Sequence, residues 1–285
     1  MRTTYVFIYG GLGNQMFQAA LGEAIRTRYN STIRYINLTS DARVPRAWEL
    51  GIFGLQPHAA GTRYSSLLWR LFKLGLKVQR LLSPRSSLIY DEKNVAHTGL
   101  PTRAPLFING YFQSERFFLD TSPADTFCFP AHPYGLDIQP NSVAIHVRRG
   151  DYVTDIVARR SHLICDETYY EQAWALMLRW VPDARAYVFS DDPEWAHSHL
   201  NLPGDVTYVE NPDGKPAWVD LSLMAQCQHS ILSNSSYSWW GAYLATNPAQ
   251  RVIVPDRWTA AARTDDLDIC PAYWYRLTTR PPTHG

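Results

Sequence analysis

Two adjacent arginines, Arg148 and Arg149, follow an apolar, β-branched run at residues 143–147. Such a run is typical of a short buried strand, and alternation along the strand places His146 and Arg148 on one face. Ligands of open α/β sheets bind beyond the carboxyl ends of the strands. Each planar guanidinium can donate two parallel hydrogen bonds to an anion such as a pyrophosphate. We therefore predict an anion site here, and a surface ion-pair cluster is the alternative.

Further polar side chains gather where a later predicted strand turns into a helix, namely Asn234, Ser235 and Ser236. Hydroxyls and backbone N–H groups at a helix N-terminus suit a phosphate, and plain N-capping is a compatible interpretation. Asp191 and Asp192 end another predicted strand, where they favour an N-cap or a ribose contact. A magnesium site there would need more oxygen ligands nearby.

A glycine-rich turn near the N-terminus separates a predicted strand (4–9) from a predicted helix (15–29). A dinucleotide-binding loop fits poorly, because Met16 occupies the third glycine slot and no acidic residue ends the second strand. Asn14 and Gln15 lie at the helix N-terminus, which favours anions. A turn needed only for helix–strand packing is the alternative.

Aromatic and amide side chains follow a short predicted strand at residues 106–109, namely Tyr111, Phe112 and Gln113. Their place at a strand's carboxyl end suits contact with a sugar, and a core aromatic pair is the alternative.

Residues 65–82 have helical spacing with two stripes. One stripe is basic (Arg70, Lys73, Lys77 and Arg80), and another is apolar (Leu67, Leu71, Leu74, Val78 and Leu81). Such a helix can lie on an anionic membrane, but we interpret it as an ordinary solvated helix on a domain surface.

The 27 basic and 26 acidic side chains give a net charge of +1, which argues against a nucleic-acid-binding protein. The four cysteines have no zinc-ligand spacing, so we expect free thiols in a reducing compartment. No secretory signal and no transmembrane segment is predicted. We expect a cytoplasmic protein, with peripheral attachment to the inner face of a bacterial membrane left open.

Predicted strands and helices alternate after residue 141, which favours a parallel, doubly wound sheet. Residues 123–140 hold four prolines and no clear periodicity, so we interpret them as a linker. The predicted organisation is an N-terminal domain at 1–140 and a C-terminal domain at 141–285.

The run from His146 to Asp151 resembles the HxRRxD motif of the GDP-fucose-dependent fucosyltransferases. Four further stretches occur in the order of the α-1,2-fucosyltransferases, glycosyltransferase family 11, at residues 10–18, 109–114, 189–193 and 233–241. The resemblance implies an α/β protein of GT-B fold, with two Rossmann-like domains facing each other across a cleft. The N-terminal domain would bind the acceptor and the C-terminal domain GDP-fucose.

This resemblance implies an inverting transfer of L-fucose from GDP-β-L-fucose to the 2-hydroxyl of a terminal galactose, without a metal. The acceptor would be a β-galactoside, either a lactose-like glycan or a lipid-linked oligosaccharide. Asp220 would face the guanine edge. Asp151 is either the base that deprotonates the acceptor or an orienting partner of one arginine.

We thus predict three groups of site residues. The catalytic group is Arg148, Asp151 and Asn14. The donor-binding group is His146, Arg148, Arg149, Asp191, Asp192, Asp220, Asn234, Ser235 and Ser236. The acceptor-binding group is Gln15, Tyr111, Phe112 and Gln113. Another nucleotide-sugar transferase and a non-catalytic sugar-binding protein are the alternatives, and the arginine pair counts against the second.

Overall fold

A computed structural model describes residues 2–39, 46–58, 62–82, 88–94, 99–131, 135–210, 212 and 215–279, without the side chains of 62–65, 78–82, 94, 151, 154 and 157. The chain divides into two compact units, Met1–Pro130 and Ala131–Gly285. The division falls within the stretch that the sequence analysis assigned to the linker.

The N-terminal unit is built on a four-stranded sheet in which all pairings are parallel. Its elements are β1 (Thr3–Ile8), α1 (Leu12–Tyr29), β2 (Thr32–Asn37), α2 (Thr62–Leu82), β3 (Ile89–Asp91), β4 (Phe107–Asn109) and α3 (Pro123–Thr126). The strand order is β2-β1-β4-β3, so β1 and β4 are central. The predicted βαβ unit at the N-terminus is confirmed.

Helix α2 packs on this sheet through a face that the sequence analysis did not identify. Leu68 and Phe72 are buried in a cluster with Phe7, Ile36, Ile89 and Phe107. In contrast, Leu67, Leu71 and Leu74 of the predicted apolar stripe are exposed. The sequence allows two apolar stripes on this helix, and only the sheet decides which one is covered.

The C-terminal unit contains a six-stranded sheet in which all pairings are parallel. Its helices are α4 (Gly150–Thr154), α5 (Ile156–His162), α6 (Glu167–Trp180), α7 (Pro193–His199), α8 (Ala217–Gln226) and α9 (Ser236–Tyr243). Its strands are β5 (Ser142–Val147), β6 (Arg185–Ser190), β7 (Asp205–Tyr208), β8 (His229–Ile231), β9 (Val252–Pro255), β10 (Arg257–Thr259), β11 (Ala262–Arg263) and β12 (Tyr275–Leu277). The strand order of the sheet is β12-β9-β8-β5-β6-β7, and β10 and β11 form a separate antiparallel pair.

Strand β5 lies at the centre of this unit, and every one of its residues is buried. Val143, Ile145 and Val147 belong to a core cluster with Tyr170 and Trp174 of α6. A strand covered on both faces is typical of a parallel sheet flanked by helices. The predicted α/β class, with a parallel sheet in each half of the chain, is confirmed.

Among the described residues, no helix is long and apolar enough to cross a bilayer. All four cysteines are free thiols, as predicted, and Cys165, Cys227 and Cys270 are buried.

Candidate active site

The site in the C-terminal unit arises where three neighbouring parallel strands end. Because β8, β5 and β6 are adjacent and parallel, the residues that follow them lie at one edge of the sheet. Strand β5 leads into the two arginines, β6 into the two aspartates, and β8 into the segment 233–236 that opens helix α9. The sequence analysis assigned residues of all three segments to the donor site.

Arg148, Arg149, Asp191 and Asp192 form what we call the arginine–aspartate cluster. Arg148 Nη1 lies 2.6 Å from Asp191 Oδ2, and Arg149 Nε lies 3.1 Å from Asp192 Oδ2. The backbone N–H of Arg149 also donates to Asp191 Oδ1 at 2.8 Å. The arginine side chains are 26% and 16% exposed, so each guanidinium is fixed in place while part of it still faces solvent.

Aromatic rings complete the support of the two arginines. The guanidinium carbon of Arg149 lies 3.8 Å from the ring centroid of Trp195, and that of Arg148 lies 5.6 Å from Tyr152. Asp192 caps α7 by accepting from the backbone N–H of Trp195 at 3.2 Å. The sequence analysis missed Trp195, although its place three residues after a capping aspartate was a usable signal.

These contacts show what Asp191 and Asp192 do within the protein. The predicted N-cap at Asp192 is confirmed, and both carboxylates pair with guanidinium or backbone N–H groups. The two carboxylates therefore hold the arginines in place, and their contact with a ribose stays a prediction.

Position 150 requires a glycine, because Asp191 leaves no room for a Cβ atom. A Cβ atom at this position would lie 2.4 Å from Asp191 Oδ2, far inside van der Waals contact. The glycine between Arg149 and Asp151 therefore allows Asp191, which follows β6, to reach Arg148. Asp151 follows in the first turn of α4, and its side chain lies outside the described residues, so its role stays a prediction.

His146 is buried and pairs with the segment that follows β8. Its Nδ1 lies 2.8 Å from Ser233 Oγ, and its ring centroid lies 5.5 Å from that of Tyr237. Burial, aided by the positive charge of Arg148, lowers the pKa of His146 to about 3. The imidazole is therefore neutral at pH 7 and forms a fixed contact between β5 and the 233–236 segment.

Segment 233–236 contains both a cap and a structural amide. Ser235 Oγ accepts from the backbone N–H of Tyr237 at 3.3 Å, which makes Ser235 the N-cap of α9, and Ser236 is the first helical residue. Asn234 is buried, and its Nδ2 donates to the carbonyls of His162 and Trp258 at 2.9 and 3.0 Å. Both donors of its side-chain amide are therefore used within the protein, and donor binding by Asn234 stays a prediction.

Asp220 lies in the first turn of α8 and pairs with Lys215 at 2.7 Å. Burial raises the pKa of Asp220, and the neighbouring ammonium group opposes that shift. The Lys215 side chain is only 3% exposed, and sequence analysis missed it. Tyr237 donates its hydroxyl to the Ala217 carbonyl, which joins the start of α8 to α9.

In the N-terminal unit, the carboxyl ends of β1 and β4 bring two predicted residues together. Asn14 Oδ1 accepts from Gln113 Nε2 at 2.6 Å, although the two lie 99 positions apart. Gly10 has a φ of +84°, and a Cβ there would lie 2.9 Å from Asn14 Nδ2. The glycine turn thus permits both the left-handed backbone and the position of the Asn14 amide.

Two of the predicted acceptor-binding residues, Gln15 and Phe112, are buried. Gln15 is fully buried; its Nε2 donates to the carbonyls of Gly10 and Ala47 at 2.8 Å, and its Oε1 accepts from Glu49 N–H at 3.0 Å. Phe112 is buried and stacks on Tyr90, with ring centroids 5.2 Å apart. Both side chains hold the loops in place, and their contact with the acceptor stays a prediction.

Tyr111 remains at the surface, with 36% of the residue exposed and its ring 5.0 Å from that of Tyr9. Glu92, which sequence analysis missed, fixes this loop by accepting from the backbone N–H groups of Tyr111 and Phe112, each at 2.8 Å. A Cβ at Gly110 would lie 2.3 Å from Glu92 Cβ, so the Asn-Gly turn allows this contact. No local sequence pattern around Glu92 indicates its contact with this loop.

Among the described residues, no group of three or more His, Cys, Asp or Glu side chains is arranged to hold a metal ion.

Comparisons with known proteins identify the family of the chain. The profile of glycosyl transferase family 11 matches residues 86–277. An alpha-1,2-colitosyltransferase of Escherichia coli is 29% identical over 94% of this chain and 96% of its own length. Human galactoside alpha-(1,2)-fucosyltransferase 1 is 34% identical over 36% of this chain and 28% of its own length.

A solved structure of NodZ alpha-1,6-fucosyltransferase soaked with GDP-fucose aligns with a TM-score of 0.47 and 11% identity, covering 90% of this chain and 95% of that chain. The family match covers most of the chain and includes both the arginine–aspartate cluster and the 233–236 segment. The chain belongs to glycosyl transferase family 11.

Proposed function

We propose that the protein transfers L-fucose from GDP-β-L-fucose to the 2-hydroxyl of a terminal β-galactoside, with inversion at the anomeric carbon. One observation carries the proposal: two guanidinium groups are fixed at the carboxyl end of β5, with the N-terminus of α9 at the end of the adjacent strand. Such an arrangement suits a diphosphate leaving group.

In this reaction the acceptor oxygen forms a bond to the anomeric carbon while the bond from that carbon to the GDP oxygen breaks. The electron pair of the broken bond leaves with GDP, so negative charge grows on the diphosphate in the transition state. Arg148, Arg149 and the N–H groups near Ser235 and Ser236 would stabilise this charge as it develops. Because the aspartates already hold the arginines, little reorganisation is needed at that moment.

The proton of the acceptor hydroxyl passes to a base late in the reaction. Asp151 is the candidate, because it lies in the first turn of the helix that directly follows the arginines. The alternative role for Asp151 is to orient one arginine, and the two roles predict different effects of Asp151→Asn.

In this proposal, Asp220 makes the donor site specific for guanine. A carboxylate can accept from the N1–H and N2–H₂ groups of guanine together, a pattern that adenine lacks. Lys215 holds the carboxylate at the start of α8, and Tyr237 ties that helix end to α9.

On the acceptor side, the proposed contacts are Asn14, Gln113 and Tyr111. The hydrogen bond between the two amides leaves Asn14 Nδ2 to meet a sugar hydroxyl. The exposed part of the Tyr111 ring offers a flat apolar surface to the sugar.

A second candidate is transfer of colitose, the 3-deoxy form of L-fucose. It is favoured by the relative named an alpha-1,2-colitosyltransferase, which matches nearly the whole chain. A site that hydrogen-bonds the 3-hydroxyl of fucose would reject the deoxy sugar by about 10⁴-fold, whereas an apolar site would accept both sugars.

The test is a transfer assay on lactose with GDP-fucose, GDP-colitose and UDP-galactose as donors, each with and without excess EDTA. We expect an α-1,2-linked product from GDP-fucose that persists in EDTA, because the arginines supply the positive charge that a metal would otherwise bring. Selective use of GDP-colitose would establish the second candidate. Use of UDP-galactose alone, or an activity that requires Mg²⁺, would contradict the proposal.

A further inference from the structure

Helix α2 (Thr62–Leu82) has a face that none of the described residues covers. Its anchored side is well defined, because Leu68 and Phe72 are buried against the sheet of the N-terminal unit. Gly75 fits closely over Ile89, whose Cδ1 would lie 2.8 Å from a Cβ at that position. These contacts fix the rotation of the helix about its axis and so decide which side chains face outward.

Three leucines on the outward side form what we call the leucine face: Leu67, Leu71 and Leu74. They are 54%, 45% and 57% exposed. Their spacing of four and three residues places them in one row on the helix surface. Single exposed leucines are ordinary, but an aligned row of them is typical of a binding surface.

Basic side chains border this row. Arg70, Lys73 and Lys77 are exposed, and at 100° per residue Arg70 and Lys77 lie directly beside Leu74. Residues 62–82 carry five basic side chains and no acidic one, in a chain whose total charge is almost balanced. The positive charge of this helix is therefore local and uncompensated within its own sequence.

The exposed leucines change the interpretation of α2 as an ordinary solvated helix: we propose that it docks the protein on an anionic lipid bilayer, with the leucine face at the boundary of the acyl chains and the basic side chains among the headgroups. A row of leucines beside a basic face is the pattern of helices that lie in the membrane interface. Anionic lipids supply the negative charge that is absent from the sequence of this helix. The inference does not depend on which sugar the enzyme transfers.

Charge favours a lipid bilayer over a second copy of the chain as the partner of the leucine face. Two leucine faces packed together would bring two sets of Arg70, Lys73 and Lys77 close to each other, and like charges would oppose the contact. A bilayer buries the leucines and neutralises the basic groups at the same time.

The experiment measures sedimentation with vesicles at an ionic strength of about 0.15 M, where the Debye length is about 8 Å. Vesicles of phosphatidylcholine alone are compared with vesicles that also contain phosphatidylglycerol. We expect the protein to bind the mixed vesicles at least tenfold better than the neutral ones.

Two triple variants separate the contributions. Leu67→Gln, Leu71→Gln and Leu74→Gln together should weaken binding to the mixed vesicles at least tenfold. Arg70→Gln, Lys73→Gln and Lys77→Gln together should weaken it by about a hundredfold. The replaced side chains are exposed, so circular dichroism and transfer to soluble lactose should match the unchanged protein.

A matched pair of single variants controls for general loss of apolar surface. Leu74 is 57% exposed and Leu119 is 62% exposed. Leu74→Gln should weaken vesicle binding, and Leu119→Gln should leave it unchanged. Failure of the unchanged protein to bind mixed vesicles, or equal binding by the triple leucine variant, would overturn the proposal. A lipid-free dimer that the triple leucine variant abolishes would also overturn it, because the occupant would then be a second copy.

Discussion

Replacing Gly150 with alanine perturbs the arginine–aspartate cluster without removing any of its charges. The added Cβ would lie 2.4 Å from Asp191 Oδ2, and real Cβ atoms essentially never approach a neighbour closer than 3.0 Å. The carboxylate therefore has to move by at least 0.6 Å. Both of its oxygens are in use, one on Arg148 at 2.6 Å and one on the Arg149 backbone at 2.8 Å. A displacement of this size loosens at least one arginine.

This geometry gives the expected losses of folding stability and of kcat/KM. Overpacking of this kind costs about 1 to 3 kcal/mol of folding stability. Catalysis should suffer more, since a misplacement of about 1 Å can cost about 10²-fold in rate. We expect Gly150→Ala to fold, to bind GDP more weakly, and to lose about 10²-fold in kcat/KM.

A double-mutant cycle with Asp191→Ala tests the cause. Without the Asp191 carboxylate the new methyl group has no close neighbour at that position, so Gly150→Ala should then have little further effect on kcat/KM. Gly135→Ala is the control, because the substitution there adds a Cβ that has no atom of another described residue within 4 Å. Normal turnover by Gly150→Ala, or the same loss with and without Asp191, would refute the reasoning.

Three further predictions concern the same unit. GDP should raise the melting temperature more than UDP or ADP does, owing to Asp220, and equal shifts from all three nucleotides would contradict guanine recognition. The pKa of His146 is about 3 when folded and about 6.5 when unfolded, so unfolding binds a proton between these values and stability falls as pH decreases through them. The free energy of unfolding, measured by urea titration, should decrease between pH 7 and pH 5 in the unchanged protein. In His146→Gln this decrease should be smaller by about 1 to 2 kcal/mol. Equal decreases in the two proteins would disprove the buried neutral imidazole. Asp151→Asn should keep GDP affinity and lose transfer if Asp151 is the base, whereas a joint loss of both in calorimetry and turnover would assign it to orienting an arginine.

The sequence predicts the parts of the site that depend on strand ends. A β-branched run that leads into two arginines specifies both a buried strand and the edge at which it stops. Asp192 and Ser235 follow later strands and cap the next helices, as their types and positions predict. Parallel pairing then brings these separate segments to one edge of the sheet.

Residues whose partners are distant in sequence could not be assigned this way. Gln15 and Asn234 belong to conspicuous polar motifs, but Ala47, Glu49, His162 and Trp258 use their hydrogen-bonding groups. Which polar group is satisfied internally depends on tertiary contacts that no local pattern encodes.

The same limit applies to apolar residues. Phe112 follows a strand end, as a ligand-contacting residue would, yet the ring of Tyr90 covers it. In α2, two apolar stripes satisfy the helical period equally well, and the sheet selects Leu68 and Phe72. Short strands late in the chain, such as β10 and β11, have too few residues to show a period.

The central claim is that the planar guanidinium of Arg148 stabilises the departing diphosphate. Arg148→Lys keeps the charge but loses the paired donors, so it tests geometry apart from charge. With GDP-fucose and lactose, kcat/KM should fall by about 10²-fold or more, as for the loss of one oxyanion-type contact. Turnover by Arg148→Lys close to that of the unchanged protein would contradict the claim.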